Sequence, residues 1–459
     1  MKSFMNKNHL ESLEMIDGEM WGSYLLNKFF IKINTRKSRG DIPSYDFTTN
    51  EFSIEDQIKL QKENYPAIYH EFIHYIHEIT TMAGIVPFYY TFASIVSFTA
   101  CEQNEKSSDY PIEPKDLLQR IKKTNNILLA LDGTKLMETE NLSIIQINNF
   151  ELNNFIVDLP NLESPLEIML PVVNIQVFDK KTKSSYHREF TFGRLHIYEG
   201  LAQNIDRIVQ QSFGVKPHPK RMLNFEYLFM EKIAKHIFSG IQQNHLLQIA
   251  SLSLSYLNCS EYFIYFIERL KKSNNQEKEL LKFKQETASL LRKQLPDFEE
   301  TMTGVLNALS GRNEIQNAYG HLIDQMITGM KLRIENPVFE IDIVYSGVFN
   351  DLEKKVTMCP MMYTFNKESE DTFIRDYTGT NLENGLGGNM LILLCFIDYF
   401  KSAIANVKEH ICPLYTSCNH KLRQKKGHQC KTKPRLSFED RFNYGPCYYS
   451  AGIFSMKGY

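Results

Sequence analysis

Much of the chain shows the hydrophobic periodicity of helices. In these stretches apolar residues recur three and four positions apart, which places them on one face of a helix. After Pro217 and Pro219 the pattern continues without a repeat period, which favours a helical subdomain over a solenoid. The predicted helices are Phe88–Cys101, Asp116–Leu131, Met222–Ile237, His245–Leu257, Glu261–Lys272 and Glu277–Leu306.

Between about residues 142 and 192 the pattern becomes that of β-strands. Apolar and polar residues alternate there, as on a sheet with one buried face. The polar run Asp179–Lys183 is expected to form a hairpin tip. Near the start of the chain, Tyr24–Asn34 alternates in the same way and is predicted to be one strand. The strands predicted in the central region are Ser143–Ile147, Glu167–Leu170, Val173–Phe178 and Glu189–Phe192.

A further helix is predicted to begin near Pro66, because proline suits the first turn of a helix. It meets no stop signal before Gly84 and Pro87. A histidine on such an apolar helix is buried and needs a polar partner. The apolar residues of this helix are Phe72, Ile73, Ile76 and Ile79.

Two histidines on this helix are spaced to bind one metal ion. His70 and His74 are four positions apart, so both imidazoles project from the same face. Glu71 lies about 100° round the helix, where its carboxylate can take a proton from a metal-bound water. The alternative is a helix with two ordinary packed histidines. His77, close to the same face, is interpreted as a packed or supporting residue and not as a ligand.

A catalytic zinc site needs a third protein ligand. In the metzincin pattern the third ligand follows shortly after the first two. This chain has His77 and Thr80 where that pattern has Gly and His, so the metzincin pattern does not fit. The third ligand must therefore come from another part of the chain.

The best candidate for the third ligand is Glu199. It lies near the middle of Arg194–Ile208, whose apolar residues recur at helical spacing. A half-buried carboxylate would be costly without a partner, and two imidazoles would supply one. Gly200 and Ala202 are small, and we expect them to let this helix approach the metal helix closely.

His70-Glu71-x-x-His74 followed by Glu-Gly-x-Ala at Glu199–Ala202 resembles the motifs of the gluzincin zinc metallopeptidases. The resemblance is at clan level and covers two short helices. It implies His70, His74 and Glu199 as Zn²⁺ ligands and Glu71 as the general base.

The spacing of the two motifs departs from compact gluzincins. Glu199 follows His74 by 125 residues, so an insertion must separate the motifs. Some members carry an acidic residue four positions after the ligand glutamate. This chain has Gln203 there, and Asp206 is the candidate to replace that acid.

The resemblance also implies a Tyr or His that hydrogen-bonds the oxyanion of the tetrahedral intermediate, a contact of clear energetic value. The sequence does not choose among several candidates. They are Tyr198, His196, Tyr319 and His321.

We therefore predict an α+β, mostly helical protein. The expected architecture is a zincin-like catalytic core with an inserted β region and a helical C-terminal part. The core should span residues 1–215, with the insert at about 85–192. A helical subdomain should follow at 216–409 and a Cys- and His-rich basic tail at 410–459.

Composition and charge indicate an ordinary soluble protein. The net charge of −2 gives no reason to expect nucleic acid or an anionic membrane as a partner. Met1–Asn8 has no apolar segment typical of a secretory signal. Met390–Ile397 is broken by Asp398 and Lys401, which predicts a buried helix and no membrane span. Eight cysteines over 459 residues do not suggest a disulfide framework, so a cytoplasmic location is expected.

The tail is rich in cysteine, histidine and basic residues, and two interpretations stay open. Thiolates there could hold a second, structural zinc ion, or the thiols could be unpaired in an irregular tail. The basic residues could bind nucleic acid, although such a run is more often a solvated face. The cysteines are Cys412, Cys418, Cys430 and Cys447.

These features predict a cytoplasmic zinc metallopeptidase that acts on a protein or peptide substrate. Large size and intracellular location favour a selective endopeptidase. One alternative is a non-catalytic zinc-binding sensor or scaffold. Another is a nucleic-acid-binding regulator that uses the tail.

Overall fold

The fold is α+β and mostly helical, as predicted. A computed structural model describes residues 22–25, 29–34, 45–46, 51–52, 69–104, 114–135, 142–157, 166–212, 225–347, 361–364, 372–375, 385–404, 409–415, 429–430, 432–434 and 447–457. The statements below concern these residues.

Helices account for most of the described chain, and each of the six helices predicted above is present with ends that differ by a few residues. Met222, the predicted start of one of them, lies outside the described residues. The helices are α1 (69–80), α2 (Met82–Asn104), α3 (Pro114–Asp132), α4 (Arg194–Ser212), α5 (Phe225–Ile237), α6 (Gln243–Ser253), α7 (Cys259–Lys272), α8 (Gln276–Asn307), α9 (Asn313–Glu335), α10 (Phe339–Ser346), α11 (Leu386–Ile404) and α12 (Tyr448–Lys457).

An antiparallel sheet of three strands leads into the helix that carries Glu199. Its strands are β5 (Leu142–Val157), β6 (Leu166–Asp179) and β7 (Ser184–Thr191), with β6 in the centre. Glu167–Leu170 and Val173–Phe178, predicted as two strands, both belong to β6. A turn at residues 180–183 joins β6 to β7, as the hairpin prediction required. Because β7 ends three residues before α4 begins, this sheet positions the start of α4.

A second sheet joins the early part of the chain to a late one. Its order is β1 (Gly22–Leu25), β2 (Phe30–Asn34), β8 (Met361–Thr364) and β9 (Thr372–Arg375), with β2 and β8 parallel. The stretch predicted as a single strand, Tyr24–Asn34, is instead divided between the antiparallel pair β1 and β2. The strands β8 and β9 come from a region expected to be helical. Two very short strands, β3 (Tyr45–Asp46) and β4 (Glu51–Phe52), pair separately.

The metal helix α1 ends earlier than predicted. Its last helical residue is at position 80, and α2 begins at Met82 and contains Pro87. The Thr81 hydroxyl donates to the His77 carbonyl at 2.5 Å. The Thr81 backbone carbonyl accepts from the Gly84 amide at 3.0 Å. Thr81 thus satisfies backbone groups at the end of one helix and the start of the next.

In the described part of the chain, two helices are apolar enough and long enough to cross a membrane, over Met82–Thr99 and Leu386–Ala403. A buried core helix meets the same criterion. Met390–Ile397 lies within α11, and seven of these eight residues are buried against the main core, which confirms the predicted buried helix. Helix α11 packs on α9 and α12.

Candidate metal centre

Helix α1 is a core helix. Every residue from 69 to 80 is buried, and His70 and His74 are only 5% and 4% exposed. Imidazole rings in such a position need polar partners, because water is excluded from them. The partner on the facing helix is Glu199 of α4.

Helix α4 is held in place at its first turn by Arg194. The Arg194 guanidinium donates from Nε to Asp132 Oδ1 at 2.7 Å and from Nη1 to the Ala83 carbonyl at 2.5 Å. These contacts tie α4 to α3 and α2. A Cβ on Gly193, just before the helix, would lie 2.4 Å from the backbone nitrogen of Gly133, so the close approach here requires glycine.

The structure brings His70, His74 and Glu199 together. The two Nε2 atoms are 3.2 Å apart, and Glu199 Oε2 lies 3.7 Å from His70 Nε2 and 3.5 Å from His74 Nε2. Three ligands at about 2.0–2.1 Å from a tetrahedral zinc ion are roughly 3.3 Å from one another. Among the described residues, this is the one set of three or more His, Cys, Asp or Glu side chains with ligand atoms within 4.8 Å of each other. The donor set and its spacing therefore fit a divalent metal.

The electrostatics of the three residues favour cation binding. Burial opposes protonation of His70, but the hydrogen bond with Glu199 and the charges of Glu71, Glu199 and Asp206 outweigh it and raise the pKa of His70. Burial opposes ionisation of Glu199, yet His74 and His70 hold the pKa of this carboxyl well below its usual range. An excess of negative charge thus faces the histidines, and a bound metal ion would compensate it.

Glu71 and Tyr227 lie beside His70. Glu71 is 9% exposed, and its charge acts on His70. The half-buried ring of Tyr227, on α5, lies edge-on to the His70 ring with centroids 5.8 Å apart. No local sequence pattern marks Tyr227, because only the packing of α5 against α4 brings it to the site.

Tyr198 lies on the buried side of the site. It is 1% exposed, and its ring stacks on His77 with centroids 5.7 Å apart and lies 6.3 Å from the His74 ring. Burial raises the pKa of Tyr198 well above its usual range, since there is little water to solvate a phenolate. The Tyr198 side chain therefore packs against the buried side of the His74 ring.

His196 is engaged by backbone groups. Its Nδ1 accepts from the Gly193 amide at 3.1 Å, and its Nε2 donates to the Thr134 carbonyl at 3.1 Å. The ring also stacks on Phe192. No ring nitrogen is left to donate to an oxyanion, so this geometry supports a structural role for His196 in joining α4 to the preceding loop.

Tyr319 and His321 lie on α9. The fully buried ring of Tyr319 stacks on Phe92 with centroids 3.8 Å apart. His321 is half-buried two turns before Gly329, the residue at which α9 contacts the end of α1. Tyr319 is therefore a core side chain in this arrangement.

Asp206, expected near the ligands, is fully buried on α4. Gln210 donates to its Oδ2 at 2.8 Å, and its charge contributes to the raised pKa of His70. Gln203 is also buried. Asp206 thus contributes negative charge that acts on His70.

The small residue Gly200 does not act as predicted. An added Cβ there would lie 2.7 Å from the Met230 Cβ of α5. The close approach at Gly200 is therefore between α4 and α5, and not between α4 and the metal helix.

The tail cysteines are described only in part. Among the described residues, Cys412, Cys430 and Cys447 form no disulfide, and the Cys412 amide donates to the Cys430 carbonyl at 2.8 Å. Cys418 lies outside the described residues, as does most of the basic run. The described tail thiols do not form a set of three within 4.8 Å. A second zinc site and a nucleic-acid partner stay predictions.

Comparisons of this chain with protein-family models, with curated proteins and with solved structures found no match. The chemistry of the site is therefore argued from its residues and geometry.

Proposed function

We propose that the protein is a zinc-dependent peptidase with a zincin-like core. His70, His74 and Glu199 hold the metal, and Glu71 is the general base. The observation that supports this most is the convergence of two imidazoles and a carboxylate from two helices, with Glu199 125 residues after His74 and ligand atoms separated by 3.2 to 3.7 Å. Zinc is the metal best matched to this donor set.

A bound zinc ion would polarise the scissile carbonyl and make water more acidic. Glu71 takes the proton of the attacking water and returns it to the leaving amine, which gives direct hydrolysis without a covalent intermediate. Tyr227, whose ring lies beside His70, is our candidate to donate a hydrogen bond to the developing oxyanion. The substrate is a protein or peptide, and a selective cytoplasmic endopeptidase is the form of the activity that we propose.

The surroundings of the site favour access from one side. The Glu199 side chain is 20% exposed, whereas those of His70 and His74 are 7% and 5% exposed. A substrate would therefore approach past Glu199.

The limited exposure of the three candidate ligands also favours one other function, because structural zinc sites are closed and catalytic ones keep an open position. The alternative is a zinc-binding scaffold or sensor without catalysis.

Substitution of the base and of two ligands tests the proposal. Zinc content is measured for the wild type, Glu71→Gln, His70→Ala and Glu199→Ala, together with hydrolysis of a mixed fluorogenic peptide library. Glu71→Gln should keep its zinc and lose hydrolysis by roughly 10²–10⁴-fold. Both ligand variants should lose zinc.

The exposed His236, at the far end of α5, gives a control in His236→Ala that should keep both properties. Zinc retained in Glu199→Ala would remove this residue from the ligand set. Zinc binding with no wild-type hydrolysis under any condition would favour the scaffold.

A further inference from the structure

A fully buried polar cluster lies at the C-terminal end of α1. At its centre is Glu340 of α10, whose Oε1 accepts from Arg333 at 2.9 Å, from the Ser251 hydroxyl at 2.6 Å and from His77 Nε2 at 3.3 Å. All four side chains are 0% exposed. Three donors on one carboxylate oxygen fix the direction of each of them.

Arg333 links this cluster to α1 a second time. Its Nε donates to Thr80 Oγ1 at 2.8 Å, and its Nη1 donates to the Pro337 carbonyl at 2.7 Å. His77 and Thr80 are one turn apart on α1. The C-terminal half of α1 is therefore attached to α9 and α10 through hydrogen bonds to two of its own side chains, and Ser251 of α6 joins the cluster through Glu340.

The cluster also reaches the helix that carries the third ligand. The His77 ring, held by Glu340, stacks on Tyr198 at an interplanar angle of 22°. Tyr198 immediately precedes Glu199 and lies against the ring of His74. The contacts thus run from Glu340 through His77 and Tyr198 to α1 and α4, the two helices that carry the candidate metal ligands.

Stability alone is a weak reason for such a cluster. A buried ion pair pays a desolvation penalty that its mutual attraction often does no more than cancel, so apolar side chains of similar size would be as stable. Directed hydrogen bonds, in contrast, orient groups, and partners behind metal ligands commonly alter metal affinity.

We propose that Glu340 is a positioning residue for the metal centre, acting through His77 and Tyr198 to hold His74 and Glu199 toward one cation. The inference rests on the metal centre of the proposed function. It does not require that the protein hydrolyse peptides.

The test measures metal binding in His77→Phe and Glu340→Gln. His77→Phe keeps an aromatic ring against Tyr198 and removes the hydrogen bond to Glu340, while the Arg333–Glu340 pair stays intact. The affinity for zinc alone should fall about 10–100-fold in both variants. The absorption spectrum of the cobalt-loaded protein should change, because the ligand geometry is altered.

Asp398→Asn is the matched control. Asp398 is a carboxylate of the same burial, paired with His410 at 3.1 Å near α12. This variant should lose thermal stability and keep the wild-type zinc affinity and cobalt spectrum. If Glu340→Gln does not fold, His77→Phe decides alone.

Wild-type zinc affinity and cobalt spectrum in folded His77→Phe would overturn the proposal. A wild type that binds zinc but hydrolyses nothing would contradict the peptidase and leave the positioning role intact. A wild type that binds neither metal would overturn both.

Discussion

Glu199 lies at the boundary between two buried histidines and solvent. Its side chain is 20% exposed, and the pKa of its carboxyl is held well below the usual range because His74 and His70 outweigh the cost of burial. A glutamine at this position would keep the shape and lose the negative charge. Glu199 thus supplies a negative charge within 3.7 Å of both imidazoles.

Tyr227 is the residue whose role is most open to a direct test. Tyr227→Phe keeps the ring beside His70 and removes only the hydroxyl. If the hydroxyl donates to the oxyanion, kcat should fall about 10²–10³-fold with little change in KM and none in zinc content.

Steady-state kinetics of the zinc-loaded variant provide the measurement. Tyr265→Phe, on the exposed face of α7, is the control and should behave as the wild type. An unchanged kcat in Tyr227→Phe would exclude the hydroxyl from the reaction.

At the scale of elements, the placement of α1 depends on how closely α9 approaches it. A Cβ on Gly329 would lie 2.6 Å from Thr80 Cγ2 and 2.8 Å from the Ile79 carbonyl oxygen. Backbone and a buried β-branched side chain cannot move aside easily. The two helices must therefore separate if this glycine is replaced.

Gly329→Ala should destabilise the protein by about 1–3 kcal/mol, the usual cost of overpacking. Gly320→Ala on the same helix is the control, because its Cβ would meet Leu306 at an ordinary 3.7 Å. It should be neutral or stabilise by up to about 1 kcal/mol. Urea unfolding of both variants measures the difference, and equal stability would show that α9 and α1 are not closely packed at Gly329.

Local signals explain which elements the sequence could predict. The periodicity of α4 and the strand alternation of β7 depend on neighbouring residues, so both were found. The predicted end of α1 is wrong because the chain leaves the helix at Thr81, before the stop signals themselves, and Gly84 then packs so closely on Glu78 that an added Cβ would clash with its backbone. The pairing of β2 with β8 depends on residues over 300 positions apart, which no local pattern records.

The candidate site was predictable to a similar extent. The spacing of His70 and His74 and the cost of burying Glu199 unpaired indicated the residues that come together. Tyr227 was missed and His196 was considered for the oxyanion, because side-chain partners depend on packing. Both ring nitrogens of His196 are taken by backbone groups that the sequence does not reveal.

For the whole molecule, buried neutral histidines make stability depend on pH. Burial lowers the pKa of His77 to about 4 and that of His196 to about 4, from an ordinary value of 6.5. Below pH 6.5 the unfolded chain therefore binds protons that the folded chain does not. The contribution of these two histidines to the free energy of unfolding should be constant above pH 6.5. It should fall as the pH drops from 6.5 toward 4.

His196→Asn should make the protein less sensitive to acid. Between pH 7 and pH 5 the wild type should lose about 2 kcal/mol more stability than the variant. Urea unfolding with a chelator in every sample measures this without a contribution from metal release. The exposed His187 supplies a control in His187→Asn, which should follow the wild type. Equal losses in all three proteins would show that His196 is not buried neutral.

The contact between His77 and Glu340 spans 263 residues of the chain. Because ribosomes add about 5–20 residues per second, roughly 10–50 s pass between synthesis of the two side chains. During that interval α1 exists without its hydrogen bond to Glu340. A peptidase built in this order would acquire activity only after residue 340 has been made, and the growing chain would until then be spared from cutting itself or its neighbours.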